Sequence, residues 1–489
     1  MTNDVVIVGA GPTGLLLASE LALAGLHPIV LERLPEPTGL SKALALLGRS
    51  VDMLERRGLL DRFADRAPVG PPIFAHFAML PLDLAVVAEL GVRGILLPQA
   101  QTEEILLARA LELGVKIRRN QAVDGLEQDP DGVTLTVGGQ RVRARFVVGC
   151  DGGSSTVRKL AGIGFPGTAP SRLLRLADFS VPEGAAGEDH LGLPTGERLP
   201  YFKSGVVPLN DGYFRVITNE PYPTGFDRDA PMTVAELQDS VQRTKGVRLQ
   251  ITGTRWMSRF TDATRQADRY RAGRVLLAGD AAHIHLPAGG PGLNTGLQDA
   301  VNLGWKLAAE IRGWAPKGLL DTYHTERHAE GARVLLHTRA QGALGLADER
   351  VASLRALFAE LLQDAPTTRR IARLLYSLDT HYDMGGDQTH PLVGRWAPDV
   401  VLPDGASLAE HLHGGRAVLI GAECPGWEDR VDATPKITSE AMLVRPDGYV
   451  AWAGSPADSG LHLALERWFG QPRVSDNAGV TGQYRELIP

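Results

Sequence analysis

Three apolar runs far apart in the chain each stop at a small or acidic residue. They are Asp4-Val5-Val6-Ile7-Val8 before Gly9, Phe146-Val147-Val148-Gly149 before Cys150-Asp151, and Arg274-Val275-Leu276-Leu277-Ala278 before Gly279-Asp280. Unbroken apolar runs of this length predict parallel strands buried on both faces. A fourth run, Pro28-Ile29-Val30-Leu31, ends at Glu32. Between the first and the fourth, Leu15, Leu16, Leu17, Ala18, Leu21 and Leu23 predict a helix that Gly25 closes. Within residues 39–58 a helix is expected with Val51 and Leu54 inward and Arg49 near its start, and residues 95–97 predict a short strand ending at Pro98-Gln99. Thr102 is expected to cap a helix through Leu106, Leu107 and Leu111 to Gly114, with Glu103 and Glu104 in its first turn. Residues 132–145 alternate apolar and polar around Gly138-Gly139, which predicts an antiparallel hairpin.

From about residue 173 to 256 the texture changes to short strands, turns and aromatic rings. Tyr201, Phe202, Tyr213, Phe214 and Tyr222 fall among prolines and the turn Asn210-Asp211-Gly212, a pattern that suits an antiparallel sheet over a cavity. The strand ending at Asp280 leads into a glycine-rich loop and a helix faced by Leu293, Leu297, Val301 and Ala308, for which Asn294 and Thr295 are candidate caps. The polar run Tyr323, His324, Glu326, Arg327, His328 reads as the solvated face of a helix. Residues 417–420 and the turn Pro446-Asp447-Gly448 within 442–452 predict a small α/β unit near the end of the chain. The expected fold class is α/β. A Rossmann-like domain, residues 1–172 with an insertion near 70–100, is interrupted by an antiparallel-sheet domain, 173–265. It resumes with a helical segment over 266–390, and a C-terminal domain and tail follow over 391–489.

Composition narrows the function classes. The chain has 489 residues, 44% hydrophobic and 22% charged, with a net charge of -6. The length suits about three domains with real cores. It lacks the basic stripe of a nucleic-acid binder, and no apolar run reaches the length that crosses a bilayer. Met1-Thr2-Asn3 runs straight into the first strand, so no signal peptide is expected. Cys150 and Cys424 form neither a Cys-x-x-Cys pair nor a metal cluster, so no metal is expected and a reducing cytoplasm is the expected compartment.

The chemistry begins with Gly9-Ala10-Gly11-Pro12-Thr13-Gly14, lying between a strand and a helix. Glycines at this spacing let the backbone turn tightly and approach a pyrophosphate, whose charge meets the open N–H groups of the helix. Glu32 stands eighteen residues after Gly14, placed to accept hydrogen bonds from a ribose and to repel a 2′-phosphate. The later loop, in which Pro287, Gly290 and Gly292 precede a helix, suits the electron-rich edge of an isoalloxazine ring. Taken together, the motifs describe FAD gripped at adenosine, pyrophosphate and ribityl chain. His283 and His285 lack partners at zinc spacing, so structural hydrogen bonding is the better reading for them.

The wording of residues 148–158 and 287–307 resembles the class A flavoprotein monooxygenases, the para-hydroxybenzoate hydroxylase-like group. Within it, the similarity is to the branch of bacterial aromatic polyketide hydroxylases and rifampicin monooxygenases, over nearly the whole chain. The resemblance implies that Gly9, Gly11, Pro12, Thr13 and Gly14 hold the pyrophosphate, Glu32 the ribose and Arg33 the adenine end. It implies that Arg49 and Gln99 reach the phosphates or ribityl chain, and that Gly279 and Asp280 meet a ribityl hydroxyl. Pro287, Gly292 and the backbone of Leu293 and Asn294 would face the flavin pyrimidine. Asp151 and Arg158 would support FAD binding and, indirectly, contact with NADPH or NADH. Phe74, Phe77, Tyr201, Phe202, Tyr213 and Phe214 are the candidate substrate contacts. Two departures stand out: Gly48, where such enzymes often have Ala or His, and Pro291, where many have Gln. The C-terminal unit resembles the thioredoxin-like appendage of this branch and lacks its Cys-x-x-Cys.

One glycine fingerprint without a second βαβ unit implies that NAD(P)H docks transiently. In the implied reaction a C4a-hydroperoxyflavin delivers one atom of O2 to a large polycyclic aromatic, a polyketide or rifamycin-like molecule, by ring hydroxylation. Baeyer-Villiger insertion on the same scaffold, a flavin-dependent oxidase or dehydrogenase, and a non-catalytic binding protein are the alternatives. Aromatic substrate and O2 are the expected partners, without nucleic acid or membrane, and the chain is expected to act as a monomer or homodimer.

Overall fold

The computed structural model describes residues 3–182, 206–209, 212–227, 230–346, 348–386, 390–434 and 440–473. Tyr201, Phe202 and the tail beyond 473 lie outside the described residues. The apolar runs of the sequence line up side by side. Strands Val275–Leu277, Gln140–Gly149, Asn3–Val8, Ile29–Leu31 and Lys116–Arg118 are parallel neighbours in that order. Val5, Val6, Ile7, Val30, Leu31, Val147, Val148, Leu276 and Leu277 are all fully buried, which explains why their sequence does not alternate. The expected hairpin joins Gly132–Val137 to Gln140–Gly149, and Val123–Asp129 adds to its edge.

Helices Pro12–Leu23 and Pro291–Arg312 cross in contact. The crossing is close because it is made at glycines. A Cβ at Gly296 would fall 2.4 Å from Thr13 Oγ1, and one at Gly304 would fall 2.5 Å from the Glu20 Cβ. Either substitution would push the helices apart.

A second sheet orders Val206–Pro208, Phe214–Pro221, Arg172–Ser180 and Gly253–Thr261, all antiparallel. One face packs Ala177, Phe179, Phe214 and Val216 against Leu237 and Val241 of helix Val234–Lys245. The last sheet orders Val431–Thr434, Ala417–Ile420, Ala441–Val444 and Val450–Gly454, with only the first pair parallel. Helix Gly460–Phe469 covers it, and its core runs on without a break into Trp305, Ala309 and Leu319.

The helix expected within 39–58 runs Arg49–Glu55, with Arg49 at its start and Val51 and Leu54 buried, behind a short strand, Ala45–Leu47. Three expectations are corrected. Thr102 is not a cap: the helix already begins at Gln99 behind Pro98, and Thr102 lies one turn inside, fully buried. Asn294 and Thr295 do not cap either, because Gly290 in a left-handed conformation and a proline at the first position start their helix at Pro291. The Thr295 hydroxyl instead donates to Pro291 O. Finally, the polar run on helix Thr322–Leu344 is no solvated face. Tyr323, Glu326 and Arg327 are buried: Tyr323 donates to Leu277 O, Glu326 pairs with Lys306 and Arg445, and Arg327 pairs with Asp299. Among the described residues no helix is long and apolar enough to cross a membrane.

Candidate functional site

The carboxyl ends of adjacent parallel strands open onto one groove, because the ladder continues into their loops. Gly9 N donates to Leu31 O, Cys150 N to Val8 O and Ala278 N to Gly149 O, at 2.8, 2.8 and 3.0 Å. The glycines of the first loop divide by what surrounds them. Gly9 has φ of +109° and its Cβ would fall 2.4 Å from Cys150 O, while that of Gly14 would fall 2.1 Å from Gly9 O. Gly11 faces open space, with nothing within 4 Å of where its Cβ would stand. It precedes a helix with Pro12 at its start and no side-chain cap, so the first N–H groups of that helix are free for an anion. Thr13 is wedged between helices, within 2.8 Å of the Cβ position of Gly279. The Glu32 carboxylate accepts from Ala10 N at 2.8 Å and from Leu34 N at 3.0 Å. A carboxylate accepts about four hydrogen bonds, which leaves lone pairs for a diol. Arg33, its neighbour, is exposed.

At the other end of the groove Asp280 is exposed, and its Oδ1 lies 3.9 Å from the Cβ position of Gly292. Helix Pro291–Arg312 begins there, again without a side-chain cap, behind exposed Pro287 and Gly290. Asn294 ties this start to strand Ala45–Leu47, accepting from Leu47 N at 2.9 Å and donating to Ala45 O at 3.3 Å and Gly290 O at 3.0 Å. Leu293, beside it, is half-buried. Two uncapped helix ends, an open glycine face and a carboxylate at each end of one groove fit an extended dinucleotide. The residues present suit FAD.

The remaining candidates support the loops. Asp151 accepts from Ser155 Oγ and from Thr156 N and Val157 N, while Ser155 caps helix Thr156–Leu160 by accepting from Arg158 N. Arg158 is buried, donates to Ala281 O and Gly153 O, and lies 3.7 Å over the Phe165 ring. It thereby joins the loops after the second and third runs. Gln99 Oε1 accepts from Ala43 N, and its amide donates to Glu103. Arg49 pairs with Asp52 at 2.8 Å over the Trp396 ring, but its buried Nε has no partner among the described residues. Burial draws its pKa down.

Sequence reading missed the charges beneath this groove. Asp299 is fully buried, accepting from Gly279 N at 3.0 Å, His283 Nε2 at 2.8 Å and Arg327 Nε at 2.7 Å. Burial pushes its pKa up, and Arg327 with His283 outweighs that and holds it below the usual range. His283 thus serves structure, and no metal-holding cluster occurs among the described residues. On the second sheet, buried Arg215 pairs with Asp178 through two bonds and reaches across to Ser41 O, while Trp256 Nε1 donates to Asp178. Strict strand alternation would have placed Arg215 opposite Phe214, but not named its partner.

The substrate candidates do not converge. Phe77 is buried against Phe358, ring centroids 5.2 Å apart, and Phe214 lies in the core under its helix, 5.9 Å from Phe179. Phe74 is half-buried, 5.0 Å from His76. Tyr213 is half-buried under the guanidinium of Arg255. A cavity does adjoin the helix start, walled by Leu47, Gly289, Pro291, Asn294, His337 and Tyr376.

The family described as "FAD binding domain" matches residues 2–338, and "Aromatic-ring hydroxylase, C-terminal" matches residues 390–472. The chain is 45% identical to a 12-dehydrotetracycline 5-monooxygenase/anhydrotetracycline 6-monooxygenase of Streptomyces rimosus, over 97% of this chain and 100% of that one. It is 44% identical to a rifampicin monooxygenase of Streptomyces venezuelae, over 96% and 98%. Among solved structures, OxyS anhydrotetracycline hydroxylase from Streptomyces rimosus superposes with a TM-score of 0.86 at 44% identity, covering 97% of this chain and 100% of that one. The open glycine face, the two bare helix ends and these likenesses agree, and the chain belongs to the FAD-dependent aromatic-ring monooxygenases.

Proposed function

We propose that this monooxygenase hydroxylates a polycyclic aromatic polyketide or a rifamycin-like ansamycin, with NADPH or NADH as the transient reductant. Ring, O2, NAD(P)H and a proton give hydroxylated ring, water and NAD(P)+. FAD, when bound, supplies the redox chemistry of hydride acceptance and O2 activation. The chain's part is to bind, orient and keep water out. Gly9, Gly11, Gly14 and the free N–H groups after Gly11 would hold the pyrophosphate, Glu32 the adenosine ribose and Asp280 a ribityl hydroxyl. The bare start of helix Pro291–Arg312 would face the pyrimidine edge and favour negative charge there. Arg49, with its buried Nε unpaired, is a donor toward the same ligand. We assign residues 1–172 and 266–390 to the cofactor domain and 173–265 to the substrate domain. The domain after 391 is read as thioredoxin-like, a reading supported by its sheet order of one parallel and two antiparallel pairs.

The observation that carries this reading is the groove itself, open at Gly11 and at the start of helix Pro291–Arg312. The test uses the FAD-loaded protein with anhydrotetracycline and with rifampicin. NAD(P)H oxidation should accelerate with one of them, and one labelled oxygen atom from O2 should enter the product. Oxidation without oxygen incorporation would sink the monooxygenase reading in favour of an oxidase. An ester or lactone product would indicate Baeyer-Villiger insertion.

A further inference from the structure

His337 plays no part in the groove just described. It stands on helix Thr322–Leu344, 3% exposed, and forms one wall of the cavity beside Leu47, Pro291, Val334, Leu375 and Tyr376. The proton on its ring can be located from its neighbour. Gln341, one turn further on, accepts from Ala78 N at Oε1 over 2.9 Å, and a backbone N–H can only donate. The amide nitrogen of Gln341 is therefore the atom that meets Ala288 O at 3.4 Å and His337 Nδ1 at 3.3 Å. Since that nitrogen is itself a donor, Nδ1 must accept, and the proton of the neutral ring sits on Nε2. Burial, assisted by the nearby His285 and Arg333, lowers the His337 pKa to about 4, so the ring is uncharged near neutral pH. Among the described residues no protein group meets Nε2.

His337 lines the cavity, and a donor whose tautomer is fixed there is set to meet an acceptor on whatever fills the space. The walls mix Leu47, Pro291, Val334, Leu375 and Tyr376 with the polar Asn294, Thr295, Gln298 and Ser377, and a neutral N–H suits a phenol or carbonyl oxygen better than a phosphate. We propose that His337 is a substrate-contact residue whose Nε2–H donates to a phenolic or carbonyl oxygen of the bound aromatic and so orients that ring beside residues 287–292. The inference rests on the aromatic monooxygenase reading given above and adds a specific residue to it.

The test compares two near-identical variants of the FAD-loaded enzyme. In His337→Asn the amide can replace Nδ1 toward Gln341 but nothing reaches the place of Nε2, whereas in His337→Gln the longer amide places a donor there. Titration with anhydrotetracycline and rifampicin, followed through the flavin absorbance, should give about tenfold weaker binding and a raised KM for the Asn variant. His337→Gln should recover most of the loss. The flavin content and ligand-free spectrum of both should match the wild type. Equal affinity in all three proteins overturns the proposal. So does equal weakening in both variants, which would mark a purely steric role, and so does loss or spectral change of the flavin, which would assign the cavity to the cofactor. If the wild type binds neither compound, the substrate reading fails first and takes this contact with it; failure of the contact alone leaves wild-type binding intact.

Discussion

At Gly14 a methyl group would collide with Gly9 O, whereas at Gly11 it would enter space that no protein atom occupies. Two substitutions of the same size should therefore fail differently. Gly14→Ala is expected to destabilise the fold by about 1–3 kcal/mol, seen as a lowered melting temperature with or without FAD. Gly11→Ala should leave the melting of the apoprotein unchanged and weaken FAD retention by about tenfold, because the methyl would fill the open face proposed for the pyrophosphate. A Gly11→Ala protein that retains FAD as tightly as the wild type would remove the anion from this loop. At this scale the local turn was readable, because its parts are near neighbours. Gly9, Gly14 and Glu32 act on residues of the same βαβ turn or on the strand beside it. Asp299 and Arg327 were unreadable, since each is explained by partners on other elements, the other among them, and a charged residue met alone is usually solvated.

The two long helices are joined by charge as well as by packing. Lys306 on the first and Glu326 on the second meet at 2.7 Å, and Arg445 from the C-terminal sheet donates twice to the same carboxylate, at 2.7 and 2.8 Å. Asp447 pairs with Arg445, and Asn302 bridges Glu326 and Asp447. Burial raises the Glu326 pKa, but Arg445 and Lys306 prevail and bring it from 4.5 to about 2. A carboxyl depressed on folding contributes fully above its unfolded pKa and loses that contribution as pH falls through the folded value. Wild-type stability toward urea, followed by tryptophan fluorescence, should therefore decline between pH 4.5 and 2 in part through this group. Glu326→Gln should cost about 3–5 kcal/mol at pH 7, because buried Lys306 loses its ion-pair partner and Arg445 loses one of its two. Its pH dependence across that acid range should be flatter than in the wild type. The helices themselves were legible from apolar spacing, but their starts were not. Capping side chains such as Asn294 read alike whether they close a helix or, as here, tie its first turn to a neighbouring strand.

Over the whole molecule, the parallel strand runs and the aromatic-rich sheet were legible because burial on both faces and turn residues leave strong patterns. The strand Lys116–Arg118, short and partly exposed at the sheet edge, left none. Nor was the continuity of the last domain with the first visible. Trp305, Ala309 and Leu319 share one core with Leu419, Trp468 and Phe469, and the Arg445 guanidinium lies 4.6 Å over the Trp468 ring. A chain ending at residue 390 is thus expected to aggregate on gel filtration and to hold no FAD; a monomeric, yellow fragment would refute the dependence. The order of synthesis gives this shared core a temporal consequence. Arg445 is made 119 residues after the glutamate it neutralises. Until then the nucleotide-binding half waits with an acid that has only Lys306 as its cation and with a bare tryptophan. Maturation into a flavin-retaining enzyme therefore waits until Arg445 has been made, and the nascent chain is a natural client for chaperones.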